Sequence, residues 1–133
     1  MPDGALQWKP ATNEFSVHEI VCHWADSEAN AHMRIRYLLA EKEPVIIGYD
    51  PDNWASRFDY HSQPLEVALA TIEAVRANTA ALLRRLPEEA WERAGTHTEL
   101  GRYTAEDWLI ICSEHLEEHT AQMNSVLQAW YKR

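Results

Sequence analysis

The sequence predicts an all-α domain built on three long helices, at about residues 16–43, 64–86 and 104–131. Apolar residues recur in each segment with the 3.6-residue period of an amphipathic helix. Each segment also begins at a capping signal or a proline, and a proline follows each of the first two. The length of 133 residues suits one domain with its own core, so we expect residues 1–133 to form a single domain.

The first predicted helix begins at a capping box. Ser16 is placed to cap the helix and Glu19, three residues later, to reach back to it. Phe15 precedes the cap and is placed to pack against Ile20 as a hydrophobic staple. Proline cannot continue a helix, so Pro44 gives a stop signal near residue 43.

The other two helices have similar start and stop signals. Ser62-Gln63-Pro64 opens the second, because proline is tolerated in the first turn, and Pro87 is its stop. Thr104 and Asp107 have the spacing of a second capping box, and the apolar stripe after them runs close to the C-terminus.

Two connections separate the helices. Residues 45–54 are long and apolar for a loop in a helical bundle, which predicts a lid packed over a pocket, with Tyr49 and Trp54 as candidates for its wall. His61 and His97 lie in loops and are candidates for the pocket mouth, with a plain surface position as the alternative.

Composition limits the function. The net charge is -9, with 21 acidic and 12 basic residues, which argues against nucleic acid as a partner. We see no signal peptide and no apolar run long enough for a membrane span. Cys22 and Cys112 are too few for a disulfide framework, so we expect reduced thiols, a cytoplasmic protein and a small-molecule substrate.

His115 and His119 are the most informative feature of the last helix. Their four-residue spacing places both imidazoles on one face, where they could bind one metal ion. The alternative is that they are hydrogen-bonded core residues. A third ligand would have to come from the first helix, which offers His18, His23 and His32; periodicity alone slightly favours His32.

Residues 15–31 resemble the first-histidine helix of the DinB-like superfamily, in its YfiT branch of metal-dependent hydrolases. That helix reads roughly W-[ST]-x-x-[EQ]-x-x-x-H-x-A-D-S, and its histidine falls on His23. The family's closing H-x-x-x-H matches His115 and His119. The resemblance covers about residues 15–130, and its further matches are Arg34, Glu41, Pro44, Tyr49-Asp50, Trp54-Ala55 and 87–93.

The resemblance implies an antiparallel helical bundle with a divalent metal, zinc or nickel, held near one end by His23, His115 and His119. It also implies an enzyme, either a hydrolase or a thiol S-transferase, in which the ion activates water or a low-molecular-weight thiol. The alternatives are a non-catalytic metal-binding or stress-linked dimer, and a helical interaction module whose histidines are core residues.

The resemblance also bears on assembly. Family members usually have a long helix before the first-histidine helix, whereas fifteen residues precede Ser16 here. We therefore expect that this helix is lacking and that an apolar face needs cover. The prediction is a homodimer whose partner covers the stripe that contains Leu65, Ile72 and Leu82.

Other side chains near the histidines have open roles. Glu118 is a candidate base or hydrogen-bond acceptor, with a solvated helix face as the alternative. Asp26 and Glu28 are candidates to accept the outer N–H of a ligand histidine, and a Glu28–Arg34 ion pair is the alternative for Glu28. Cys112 is a candidate soft ligand or nucleophile, although a cysteine in an apolar stripe is more often a small core residue.

The string from His115 to His119 also fits the H-x-x-E-H motif of inverted zinc peptidases. We reject that interpretation, because those enzymes take a third ligand from far downstream and fourteen residues follow His119.

Overall fold

The computed structural model describes residues 4–133. Residues 1–3, which the predicted domain includes, lie outside the described part. The elements are the helices α1 (Val17–Ala40), α2 (Pro51–Arg57), α3 (Leu65–Leu83) and α4 (Ala105–Tyr131), the strands β1 (Val45–Ile46), β2 (Ala94–His97) and β3 (Gly101–Thr104), and 3-10 turns at Tyr60–Ser62 and Glu88–Glu92. The predicted all-α class and its three long helices are confirmed.

Both predicted capping boxes are present. At the start of α1, Ser16 Oγ accepts a hydrogen bond from the Glu19 backbone N–H at 3.1 Å, and Glu19 Oε1 accepts from the Ser16 N–H at 3.1 Å. At the start of α4, Thr104 Oγ1 accepts from the Asp107 N–H at 3.0 Å, and Asp107 Oδ2 accepts from the Thr104 N–H at 2.9 Å. The two helices that carry the candidate ligands therefore begin at fixed residues.

Two helices end earlier than predicted. Helix α1 ends at Ala40 rather than near 43, because Glu41 is already extended with ψ of 154° and the chain turns towards β1. Helix α3 ends at Leu83 rather than 86. Proline disfavours helical geometry in the residue before it, so a helix commonly ends ahead of that residue.

A small three-stranded sheet was not predicted. Strand β1 pairs in parallel with β2, and β2 pairs antiparallel with β3. A Cβ on Gly95 would lie 2.8 Å from Pro44 Cγ, so glycine permits the close approach of β2 to the chain that leads into β1. Gly101, with φ of +77°, sits where β3 begins and supplies a left-handed conformation after the turn.

Helix α1 is the central element and packs against both α3 and α4. On one side, Val21 and Ala25 of α1 belong to a core cluster with Ile72 of α3. On the other side, Ile35 and Leu38 belong to a second cluster with the sheet and the first turn of α4. No helix within residues 4–133 is long and apolar enough to cross a membrane.

The stripe predicted to meet a partner is covered by the chain itself, so that part of the prediction is wrong. Ile72 is 8% exposed, and Leu65 and Leu82 pack against the two core clusters. Helix α3 turns these residues towards α1, and the large apolar side chains that it exposes are Val67 and Leu69.

Candidate active site

A cavity of about 320 Å³ lies along the interface of α1 and α4, beside the sheet and the loop that leads into α2. The two helices run antiparallel here, because Trp108 near the start of α4 donates its indole N–H to the Ala31 carbonyl at 3.0 Å, whereas His119 lies beside His23. Residues three or four positions apart lie on the same face of a helix, so each helix contributes one face to the cavity wall. The residues on these faces include His23, Ser27, Ala31 and Arg34 of α1, and Trp108, Cys112, His115 and His119 of α4.

The structure brings the three predicted ligand histidines to this cavity. The ring centres of His23 and His119 are 5.0 Å apart and their planes are nearly perpendicular, at 81°. The ring centres of His115 and His119 are 6.1 Å apart. Two residues of α4 and one of α1 therefore line the same cavity from opposite sides of the helix interface.

Several ring nitrogens in this group have no hydrogen-bond partner among residues 4–133. Both nitrogens of His119, which is 7% exposed, are buried and unpaired, and so is Nδ1 of His23. The other nitrogen of His23 lies 3.4 Å from Ser27 Oγ. Buried polar atoms are nearly always paired, so unpaired nitrogens on two adjacent imidazoles suit an ion or a ligand.

The distance between ring centres agrees with a shared metal ion for His23 and His119, but not for His115. Zinc–nitrogen bonds of about 2.0–2.1 Å at a tetrahedral angle place imidazole centres about 5 Å apart. His23 and His119 meet this spacing. His115 is exposed and farther away. Within residues 4–133, no group of three or more His, Cys, Asp or Glu side chains is gathered closely enough to hold an ion as it stands.

Burial favours the neutral form of His23 and His119. Burial first, and then the neighbouring His119 and His115, lower the pKa of His23 to about 4. The pKa of His119 is also lowered, by burial first and then by His115. Neutral imidazole is the form that binds metals, so the environment favours the ligand form at neutral pH.

The carboxylates of α1 are not bonded to these rings. Glu28 Oε1 accepts hydrogen bonds from the Trp24 indole N–H at 3.1 Å and from Arg76 Nη1 at 2.9 Å. The expected alternative, a Glu28–Arg34 ion pair, is wrong because Arg76 of α3 reaches Glu28 instead. Asp26 is also engaged elsewhere, since its Oδ2 accepts from the Tyr60 hydroxyl at 2.5 Å.

Glu118 is exposed and lines the cavity, so the structure leaves its predicted role as a base open. Of the loop histidines, His97 lines the cavity. His61 instead lies 2.7 Å from Ser16 Oγ at the start of α1. His18, the first-helix candidate farthest from the stripe, contacts the Gln63 carbonyl through Nε2 at 2.7 Å and is a hydrogen-bonded core residue.

The apolar loop after β1 does lie against the cavity. Tyr49 lines it, as predicted, and its hydroxyl lies 2.8 Å from Ser27 Oγ. Trp54 stacks on Tyr49, with ring centres 4.4 Å apart, and packs into the core. Sequence-based prediction assigned no role to Ser27 and did not place Arg34 in a pocket. Their spacing of four and eleven residues from His23 could have predicted their positions, because it places all three residues on one face of the helix.

This architecture is a helical bundle with a histidine-lined cavity between antiparallel helices. A model of the DinB superfamily matches residues 1–123, and the chain belongs to that family.

Curated relatives are similar along most of this chain. A protein of Oceanobacillus iheyensis is 34% identical over 84% of this chain and 64% of its own length. One from Bacillus licheniformis is 30% identical over 86% of this chain and 65% of its own length. Both carry the name "Putative metal-dependent hydrolase". The chain thus spans just under two thirds of the length of these relatives.

A solved structure agrees with the fold. YfiT from Bacillus subtilis superposes with a TM-score of 0.87 and 26% identity, over 96% of this chain and 74% of that one. It is described as "a probable metal-dependent hydrolase with an unusual four-helix bundle topology". The chain is therefore similar in sequence and fold to proteins described as metal-dependent hydrolases.

The two free cysteines are poorly suited to nucleophilic chemistry. Burial raises the pKa of Cys112 to about 12, with a further contribution from Glu28. Burial, followed by Asp26 and Glu19, raises the pKa of Cys22 to about 11. The thiolate is the reactive form, and almost none is present at neutral pH. This environment favours a core role for Cys112 over the nucleophile.

We expect both thiols to react slowly with iodoacetamide at pH 8 in the folded protein. The raised pKa values leave well under 1% thiolate on either side chain, whereas an ordinary exposed cysteine with a pKa of about 8.5 is substantially ionised. Mass spectrometry over a time course, with urea-unfolded protein as the fast-reacting control, measures this difference. Rapid labelling of Cys112 in folded Cys22→Ser protein would contradict the core assignment.

Proposed function

We propose that this chain is a metal-dependent hydrolase of small molecules, with the ion bound by His23, His115 and His119. The observation that supports it is the adjacent His23–His119 pair at one end of a cavity. Both nitrogens of His119 and Nδ1 of His23 are buried there and have no hydrogen-bond partner among residues 4–133. His115, on the exposed turn before His119, completes the set by turning about its side-chain torsions. Imidazole ligands suit zinc and nickel equally, so both are candidates.

The ion would supply, when bound, an activated water or thiol at a fourth coordination position. The chain's own residues supply the surroundings. Ser27 bridges the His23 ring and the Tyr49 hydroxyl and thereby orients the imidazole. Burial raises the pKa of Tyr49, so its hydroxyl stays protonated and can donate to a substrate. Glu118, on the turn between the two α4 histidines, is the candidate to accept a proton.

A low-molecular-weight thiol is the second candidate nucleophile, which would make the chain a thiol S-transferase. The raised pKa of Cys112 supports an external source, because the cysteine that lines the cavity is not ionised at neutral pH. Hydrolysis and thiol transfer share the same ligands and differ in which small nucleophile occupies the site.

We expect about one zinc or nickel ion per chain in protein purified without a metal-affinity tag. His119→Ala and His23→Ala should lose the ion, since they remove the closely spaced pair, and His115→Ala should weaken binding. Elemental analysis after desalting measures the content. His32→Ala is the matched control, because His32 is a partly buried histidine of α1 away from the cavity lining. Unchanged metal in His119→Ala, with the fold verified by circular dichroism, would reject the ligand set.

Metal-loaded protein should hydrolyse an activated ester such as p-nitrophenyl acetate, and chelation should abolish the reaction. If Glu118 accepts the proton, Glu118→Gln should lower kcat about 100-fold without loss of metal. Glu117→Gln, a change on the neighbouring exposed position, is the control. An unchanged kcat in Glu118→Gln would assign this residue to the solvated face. Conjugation of 1-chloro-2,4-dinitrobenzene with glutathione, in place of hydrolysis, would identify the transferase.

The homodimer and the cytoplasmic location belong to this proposal as well. Large apolar side chains stay exposed on both outer helices: Val67 and Leu69 on α3, and Leu109 and Ile110 on α4. Such surfaces are typical of contacts with another protein. Light scattering should give twice the chain mass, and Leu69→Glu or Ile110→Glu should reduce it to the monomer if these helices form the contact. A monomeric mass for the unaltered chain would reject the dimer.

A further inference from the structure

We propose that the cavity takes small molecules that carry a carboxylate, and that Arg34 is the residue that binds this group. The inference rests on the proposed hydrolase and names the class of its substrate. It starts from a charged side chain in the cavity wall for which neither the metal site nor the core provides a role.

Arg34 and the histidines lie at different ends of the same cavity. Arg34 follows His23 by about three turns of α1 on the same face. It lines the cavity near the sheet, whereas His23 and His119 line it at the other end of the helix interface. A ligand held at Arg34 therefore extends along the α1–α4 interface towards the histidines.

The guanidinium group of Arg34 is held in a defined position. Its Nη2 donates to the Ile47 carbonyl at 2.8 Å. Its Cζ lies 5.6 Å from the centre of the Tyr49 ring, within cation–π range. Arg34 is half-buried, so these contacts replace part of the water that an exposed arginine would keep. The group is thus oriented before any ligand arrives.

This positive charge has no carboxylate partner among residues 4–133. The ion pairs within residues 4–133 are Lys9–Glu19, His61–Glu19 and Arg76–Glu28, and none includes Arg34. A guanidinium has five N–H donors in a planar fork that matches the two oxygens of a carboxylate. One donor is used by the Ile47 carbonyl, so others are available to an anion.

The acidic residues of the cavity do not neutralise it. Glu28 is paired with Arg76 at 2.9 Å. Glu118 is exposed and lies on the turn that carries His119, at the other end of α1 from Arg34. Glu99 lies nearer, with its carboxylate against Gly48, yet it forms no ion pair with Arg34 within 4 Å. The carboxylate position beside Arg34 is therefore left to a ligand.

The remaining cavity wall indicates the size and polarity of the rest of the ligand. Most of the remaining lining is apolar or aromatic: Trp24, Ala31, Trp108, Ile111 and Leu116. A volume of about 320 Å³ is at the small end of ligand pockets. His97 adds a neutral donor, because its Nδ1 accepts from the Glu99 and Leu100 N–H groups and its proton is therefore on Nε2. The geometry suits a short apolar body with a carboxylate at one end.

Phenylacetate and phenylacetamide form a matched pair of probes, since they share shape and differ in charge. We expect metal-free protein to bind phenylacetate at least ten times more tightly than phenylacetamide, because only the anion can form the charge-assisted pair. Quenching of tryptophan fluorescence reports binding, since Trp24 and Trp108 line the cavity. Chelation removes the alternative that the carboxylate binds the ion directly.

Substitution assigns the preference to Arg34. Arg34→Gln should remove the discrimination between the two probes, and Arg34→Lys should retain part of it, since lysine keeps the charge without the fork. Arg102→Gln removes the same charge from an exposed position of β3 and should leave discrimination unchanged. Equal binding of both probes, no saturable phenylacetate binding, or undiminished discrimination in Arg34→Gln would each overturn the proposal.

The two proposals fail separately. Arg34→Gln should keep its zinc content, and His119→Ala should lose zinc while its metal-free form still prefers phenylacetate. Loss of probe discrimination in a protein that binds zinc normally rejects the carboxylate site alone. Retained discrimination in unaltered protein that takes up no zinc when zinc is supplied rejects the metal centre alone.

Discussion

The packing of α1 between α3 and α4 is the constraint on which the rest of this structure depends. One side of the helix supplies Val21 and Ala25 to the core shared with α3, and another supplies Ile35 and Leu38 to the core shared with the sheet and α4. The cavity follows the α4 side of α1 from His23 to Arg34. Core and cavity therefore share one rigid helix, and a change in its rotation would alter both together.

That double packing also explains which parts of the structure could be predicted from sequence. The helix starts were readable because capping is local: Ser16 with Glu19, and Thr104 with Asp107, satisfy each other within one turn. The sheet could not be predicted, because its strands are only two to four residues long and β1 pairs with a strand far along the chain, Val45 opposite Thr96. Gly95 carried a signal of close packing, but nothing local identified Pro44 as its neighbour.

The residues of the candidate site likewise include some that local sequence spacing could predict and some that it could not. The His115–His119 pair followed from spacing within one helix, whereas its neighbour on α1 did not. Periodicity favoured His32 because an apolar stripe gives one average direction, and α1 has two packed sides. The family resemblance selected His23, and the structure places its ring 5.0 Å from that of His119. Spacing along one helix cannot provide such a distance, which depends on how two helices cross.

Burial acts in opposite ways on the two polar ends of this cavity. At the histidine end it disfavours protonation and keeps the rings as neutral lone-pair donors, since losing a proton relieves the cost of desolvation. Arg34 differs, because a guanidinium group has only N–H donors and no acceptor lone pair. Its charge must be compensated by contacts, and the Ile47 carbonyl and the Tyr49 ring do so only in part. The same apolar walls thus suit the proposed cation at one end and the proposed anion at the other, and a molecule that contacts both would be held in a single orientation.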